Sequence, residues 1–322
     1  MSTLELFVAR RRMEAQDIAS FELRRPDGGP LPPFSAGAHI DLTAPNGMLR
    51  QYSLCNAPSE RHRYVIAVLR DPASRGGSQS LVDDLHKGHR VQVGMPRNHF
   101  VLAAAPRTLL LGGGIGITPL LAMAEHLHAG GSWFALHYCA RSPERAAFID
   151  RIAAAPYAAW ASVHFDDGAP AQRLDLDALL RQADSDTEPD ALMYVCGPAG
   201  FIAAVRAAAA RHGWPAGRVH VEHFGAALPR PGLASGFQVR IASTGQLVQV
   251  APQCSVADAL RDAGIALPLS CGEGVCGSCL TRVLDGVPDH QDEFLSDEEK
   301  ARNDRFLPCC SRAISALLVL DL

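Results

Sequence analysis

Thr108-Leu109-Leu110-Leu111-Gly112-Gly113-Gly114-Ile115-Gly116-Ile117-Thr118-Pro119 changes character half-way along. Successive leucines fit a strand buried on both faces, as in a parallel sheet. The glycines let backbone approach a ligand closely, and Thr118 is placed to cap a helix that Pro119 is preorganised to start. Such a turn sets helix N-terminal amides where a pyrophosphate can sit. Outward from this turn come helical periodicity over Leu120–His128, a strand-like Trp133–Tyr138 and a helix around Asp175–Arg181. A strand at Leu192–Val195 and an Ala-rich helix through Phe201–Arg211 follow. Alternating strands and helices imply βαβ units, so residues 106–228 read as an α/β parallel-sheet nucleotide domain. Tyr194-Val-Cys196-Gly197-Pro198 supplies a second strand ending in a small-residue turn, as a site at the C-terminal edge of a parallel sheet requires.

Upstream, residues 1–105 alternate apolar and polar residues in short runs such as His39-Ile-Asp-Leu-Thr, divided by Pro and Gly turns. That pattern predicts a small antiparallel β-barrel. Arg50-Gln-Tyr52-Ser53 offers a cation, an aromatic platform and a hydroxyl to a flat ring that bears a phosphate. Arg75-Gly76-Gly77-Ser78 reads as a mobile glycine loop suited to a terminal phosphate.

Downstream, residues 229–235 lie in a Pro- and Gly-rich linker, and residues 236–322 form a third domain. There Cys271-Gly-Glu-Gly-Val-Cys276-Gly-Ser-Cys279 has the C-x4-C-x2-C spacing of plant-type [2Fe-2S] ligands. Zinc ribbons show two C-x2-C knuckles, whereas this chain has one. Cys309 and Cys310 both follow at the right distance for a fourth ligand, and only one can bind. Between third and fourth ligands stand Asp292, Glu293, Asp297, Glu298 and Glu299, read as a solvated acidic face. Its sharper alternative is a docking surface for a basic partner.

The chain has 322 residues and a net charge of −4, which argues against nucleic-acid binding. Residues 236–322 hold 12 acids against 7 basic residues, so the acidity belongs to the third domain. No signal peptide is visible at Met1-Ser-Thr-Leu-Glu, and nine cysteines without one are expected to be reduced in a cytoplasmic protein. The charge-free run Thr108–Ala124 is too short and too glycine-rich to span a membrane. No Walker loop, G-x-S-x-G or H-E-x-x-H motif is present, so no side chain is assigned as catalytic acid or base.

Taken in order, Arg50-x-Tyr52-Ser53, Gly112 to Pro119, Cys196-Gly197-Pro198 and Glu222-His-Phe224 resemble the flavin and nicotinamide motifs of the ferredoxin reductase superfamily. With the C-terminal cysteines, the whole chain resembles the phthalate dioxygenase reductase family, which includes the reductase components of vanillate demethylases. The third domain is then an α+β (β-grasp) plant-type ferredoxin domain. In that family the fourth cysteine stands in a Pro-Cys-x-Ser-Arg-Ala stretch, so Pro308-Cys309-Cys310-Ser311-Arg312-Ala313 selects Cys309. The resemblance implies FMN, held by Arg50, Tyr52, Ser53, Arg75, Gly76, Gly77 and Ser78. It also implies a nicotinamide nucleotide bordered by Gly113, Gly114, Thr118, Cys196, Gly197 and Pro198, with Phe224 beside the flavin.

The function it implies is electron transfer from NADH through FMN and the cluster to a separate terminal Rieske-type oxygenase acting on vanillate-, phthalate- or phenoxybenzoate-like substrates. The reading is of a monomer without membrane association. Its alternative is an iron–sulfur redox sensor with no dedicated acceptor. NADH is preferred over NADPH on the family's habit. No acid ends the strand Trp133–Tyr138 to bind a ribose hydroxyl, and Arg141-Ser142 could accept a 2′-phosphate.

Overall fold

Alternation in the first hundred residues becomes six antiparallel strands. They are β1 (Thr3–Ala15), β2 (Ile18–Arg24), β3 (His39–Thr43), β4 (Leu49–Ser53), β5 (Tyr64–Leu69) and β6 (Arg90–Gly94). Helix α1 (Gly77–Asp84) sits between β5 and β6. The order is β4-β3-β6-β1-β2-β5, and the ends meet where the Cys55 N–H, just past β4, donates to the Val65 carbonyl at 2.9 Å. Leu6, Val8, Phe21, Leu23, Ile40, Leu42, Ile66 and Val68 fill the interior, as inward positions of a small barrel must. This is a computed structural model. It describes residues 3–72, 74, 76–185, 190–224, 236–252, 254–269, 272, 274, 277–292 and 294–322, with backbone alone at 182–185.

The second sheet contains β7 (Arg107–Gly113), β8 (Trp133–Ala140), β9 (Ala161–Phe165), β10 (Leu192–Gly197) and β11 (Val219–His223). Its order is β11-β10-β7-β8-β9, and β7 runs parallel to both β8 and β10. Helices α2 (Ile117–Ala129), α3 (Ile149–Ala153), α4 (Leu176–Ser185) and α5 (Ala199–Arg211) connect these strands. Leu110, Leu136 and Tyr138 pack toward α2, and Leu109, Leu111, Met193 and Val195 toward α4 and α5. The triple leucine is therefore buried from both sides, as a central parallel strand should be. Strand order reverses between β7 and β10, which makes their C-terminal ends the switch point where such sheets bind ligands.

Barrel and α/β sheet belong to one unit, Met1–Glu222, and His223–Leu322 forms another. Within the first, Ile18, Cys55, Ala67 and Phe100 of the barrel join Ile117, Leu120, Leu121 and Ala124 of α2 in one continuous core.

In the second unit, β12 (Phe237–Ile241), β13 (Leu247–Val250), β14 (Thr281–Asp285), β15 (Pro288–Asp289), β16 (Arg305–Phe306), β17 (Arg312–Ala313) and β18 (Leu317–Leu320) form a mixed arrangement. The main sheet runs β13-β12-β18-β14-β16, with β12 and β18 parallel and β15 paired separately to β17. Helix α6 (Val256–Asp262) buries Val256, Ala259 and Leu260 against Val239, Val250 and Leu318, and α7 (Asp297–Arg302) follows the cluster loop. This is the α+β ferredoxin arrangement expected from the sequence. The proposed linker 229–235 lies outside the described residues.

Candidate functional site

At the C-terminal edge of the parallel sheet, Cys196 of β10 pairs with Gly112 of β7, so the two small-residue turns lie side by side. A Cβ on Gly116 would collide with the Cys196 carbonyl, which is why only glycine serves there. One on Gly113 would stand 2.9 Å from the Phe201 ring and 3.1 Å from Pro198. Gly113, Gly197 and Pro198 thus come together, while nothing lies within 4 Å of the Cβ position of Gly114. Thr118 departs from its expected role. The helix already begins at Ile117 behind a 3-10 turn, with Gly116 in the cap position. The Thr118 hydroxyl donates back to the Ile115 carbonyl at 3.0 Å. Pro119 is the third helical residue, still among the positions whose N–H needs no partner.

In the barrel, Arg50 and the glycines after β5 meet. A Cβ on Gly77 would lie 2.8 Å from Arg50 Nε. Gly77 and Ser78 are not a loose loop. They open α1, with Gly76 (φ +95) as its cap and the Asn46 side-chain amide donating to the Gly76 carbonyl at 3.1 Å. Free helix N–H groups beside a guanidinium make a phosphate corner. Ser78 Oγ is 3.0 Å from Ser74 Oγ, and Arg75 lies outside the described residues. Tyr52 pairs with Ile40 across β3–β4 and leans on the barrel core, so Arg50 and Tyr52 share one face while Ser53 turns to the other.

On that other face a buried trio forms: the Ser53 hydroxyl bonds the Glu222 carboxyl, and the Cys196 thiol is close enough to feel its charge. Burial pushes the Glu222 carboxyl up to about 8, with Ser53 pulling the other way, and its Oε2 has no hydrogen-bond partner among the described residues. Burial first, then Glu222, raises the Cys196 thiol well above its usual range, so it stays a neutral thiol. The motif Glu222-His-Phe224 assigns Glu222 no role from sequence, because its distinctive signal is the aromatic Phe224. Phe224 itself is 39% exposed.

Parallel pairing of β8 with β9 also brings acids to the end of β8. The Asp166 N–H donates to the Ala140 carbonyl and the Asp167 N–H to that of Arg141, both at 3.0 Å. Two exposed acids therefore stand beside Arg141 at the strand ends. They are some 25 residues distant in the chain, and only the sheet register reveals them.

In the second unit Cys279 is buried and packs with Leu295, Leu307, Cys309 and Cys310. Cys271 and Cys276 lie outside the described residues. Among the described residues no three His, Cys, Asp or Glu side chains gather as a metal site. The donors fit an iron–sulfur group nonetheless: sulfur ligands on a loop whose Gly272, Gly274 and Gly277 all have φ near +70°. The Cys310 sulfur lies 3.7 Å from both the Leu307 carbonyl and the Ser311 hydroxyl and also faces Gly274 of the ligand loop. Arg312 holds the segment by donating to the carbonyls of Cys254 (2.9 Å) and Ala251 (3.3 Å). The acidic stretch differs from expectation. Asp297 and Glu298 are exposed, but Asp292 is only 2% exposed, because the Leu295 N–H and Ser311 hydroxyl draw its carboxylate inward. Glu293 is outside the described residues.

Residues 239–313 match the 2Fe-2S iron-sulfur cluster binding domain, and residues 110–207 the oxidoreductase NAD-binding domain. The chain is 50% identical over 320 residues to a vanillate O-demethylase oxidoreductase of Pseudomonas sp., covering 99% of this chain and 100% of that one. It is 42% identical to the phthalate dioxygenase reductase of Burkholderia cepacia, covering 99% and 97%. The chain belongs to the phthalate dioxygenase reductase family. A solved phthalate dioxygenase reductase, described as a modular structure for electron transfer from pyridine nucleotides to [2Fe-2S], matches with a TM-score of 0.80. The match covers 100% of this chain and 98% of that one at 42% identity. As a member of the phthalate dioxygenase reductase family, this chain is an oxidoreductase with a nucleotide domain and an iron–sulfur domain. The resemblance read from its motifs extends over its full length, and the redox-sensor alternative falls away.

Proposed function

We propose that this chain is the NADH-dependent reductase of a two-component Rieske-type oxygenase acting on a vanillate-like aromatic substrate. It carries FMN and a [2Fe-2S] cluster ligated by Cys271, Cys276, Cys279 and Cys309. The observation that carries the reading is the meeting, in one unit, of two sites. They are the Arg50–Gly77 phosphate corner and the Ser53–Cys196–Glu222 trio at the switch point. When bound, the flavin supplies two-electron hydride acceptance and the cluster one-electron transfer.

The chain's own residues have separable tasks. Arg50, with the α1 amides, binds the flavin phosphate, and Tyr52 supports the ring from the barrel side. Gly113, Gly114, Gly197 and Pro198 border the nucleotide, whose nicotinamide end lies over Cys196. Ser53 and Glu222 line that end, Glu222 holding a proton on its carboxyl at neutral pH because burial disfavours the anion. Phe224, two residues on, supplies the aromatic group that gates nicotinamide approach. Preference for NADH is supported by Asp166 and Asp167 at the β8–β9 end, where a carboxylate accepts from a ribose hydroxyl and repels a 2′-phosphate. The reading keeps the chain a cytoplasmic monomer. Among the described residues no helix is long and apolar enough to cross a membrane.

An anaerobic visible-spectrum titration with NADH, followed by identification of the released flavin, tests the whole assignment. Bleaching of flavin and cluster bands together, with FMN released, is expected. A cluster that NADH leaves oxidised, or the absence of flavin, overturns it.

A further inference from the structure

Among the described residues Asp292 is the one acidic side chain of its stretch that the fold takes out of water, and it sits between the two ligand segments. Its side chain is fully buried. Oδ2 accepts from the Leu295 N–H at 2.8 Å and Oδ1 from the Ser311 hydroxyl at 3.2 Å, two residues beyond Cys309. On its other side a Cβ on Gly274, within the Cys271–Cys276 loop, would stand 3.2 Å from Asp292 Cα and would strike the Cys310 sulfur. Two basic groups face it. His290 Nδ1 is 3.5 Å from Oδ1, and the Lys300 ammonium of α7 donates to the Asp292 carbonyl at 2.6 Å. Burial alone would favour the acid form. The imidazole, the Leu295 amide and the Lys300 charge outweigh it and hold the carboxyl below its ordinary range, so Asp292 is an anion at neutral pH.

We propose that the buried Asp292 carboxylate and the half-buried Lys300 ammonium set the reduction potential of the iron–sulfur cluster, Asp292 lowering it and Lys300 raising it. The warrant is electrostatic. An electron added between the ligand segments is repelled by a fixed anion and attracted by a fixed cation, and water screens the buried Asp292 less than the half-buried Lys300. Net charge and hydrogen bonding near the sulfurs are among the main levers on such potentials. A buried anion held close to an electron carrier makes the reduced carrier a stronger donor, which suits a protein whose task is to pass electrons on.

The inference rests on the proposed ligands, and iron content separates the two claims. Loss of iron in Cys309→Ser with retention in Cys310→Ser upholds the ligand set; the reverse pattern removes it. For the potential, the full-length protein is titrated spectroelectrochemically at the cluster bands, with the reduced cluster's paramagnetic resonance as a second readout. Asp292→Asn is expected to raise the midpoint so that the ratio of reduced to oxidised cluster at the wild-type midpoint rises about tenfold, about 59 mV for one electron. Lys300→Gln is expected to move it the opposite way. Loaded variants with unchanged midpoints, or with midpoints displaced in the same direction, overturn the proposal. If Asp292→Asn fails to take up iron, Lys300→Gln on the outer helix decides alone: a fall sustains the proposal, and no change or a rise defeats it.

Discussion

Glu222 combines a buried carboxyl, one hydroxyl partner and a neighbouring thiol, and its acid form is favoured up to about pH 8. The folded state therefore holds a proton that the unfolded chain releases near its ordinary value of 4.5. Its contribution to stability is complete below that value and is lost as pH rises toward 8, by a few kcal/mol at roughly 1.4 per unit. Unfolding by urea across pH 4.5 to 8 should show this decline, and Glu222→Gln should flatten it. An equally steep profile in the variant would assign the loss to another group. Little of this was legible in the sequence. A glutamate two residues before a phenylalanine announces no burial, and Asp292 reads as one more member of an acidic face until the Ser311 hydroxyl is seen beside it. Cysteine spacing, by contrast, is written along the chain, because its ligand loop is local.

Strands and helices were legible where periodicity was long. β7, β8, β10, α2 and α5 stand within a few residues of the positions read from apolar patterning, since each is buried by its own repeat. What failed were features that depend on a neighbour in space. Thr118 has the chemistry of a cap, yet the 3-10 turn over Gly114–Gly116 starts the helix before it. The acids at the end of β9 are invisible from β8. Asp166→Ala should raise the KM for NADH about tenfold, the worth of one charged hydrogen bond, while NADPH turnover improves. Arg141→Ala should leave NADH kinetics nearly unchanged, and a loss confined to NADPH there would show that the cation, not the acids, reads the ribose. On the same strand pair, His137 Nδ1 lies 3.1 Å from His164 Nε2. Burial, and then His164, depress His137 to about 4. That pair favours the native state above the usual histidine range and opposes it progressively as pH falls toward 4. His137→Gln should therefore make acid unfolding less steep, a change that thermal melts between pH 4 and 7 would register.

Over the whole molecule the chemistry divides between two units, one with the nucleotide and flavin residues and one with the cluster ligands. Cys276→Ser should abolish NADH-dependent reduction of cytochrome c, or of another one-electron protein acceptor, while NADH still bleaches the flavin. Failure of flavin reduction with FMN bound would reverse the proposed order of transfer. The acidic balance of residues 236–322 also predicts that transfer to a basic acceptor slows as ionic strength rises, measurable as a falling second-order rate constant. A further consequence lies in the sheet order of the second unit, where β18 (Leu317–Leu320) is central, with β12 and β14 on its two sides. Leu318 and Leu320 are fully buried there. During synthesis all four proposed ligand cysteines leave the ribosome before the strand that joins the two halves of their scaffold exists. A chain cut short before Leu317 should therefore carry all four thiols without the central strand of their sheet, and its failure to retain iron on expression would show that the cluster waits for that last strand.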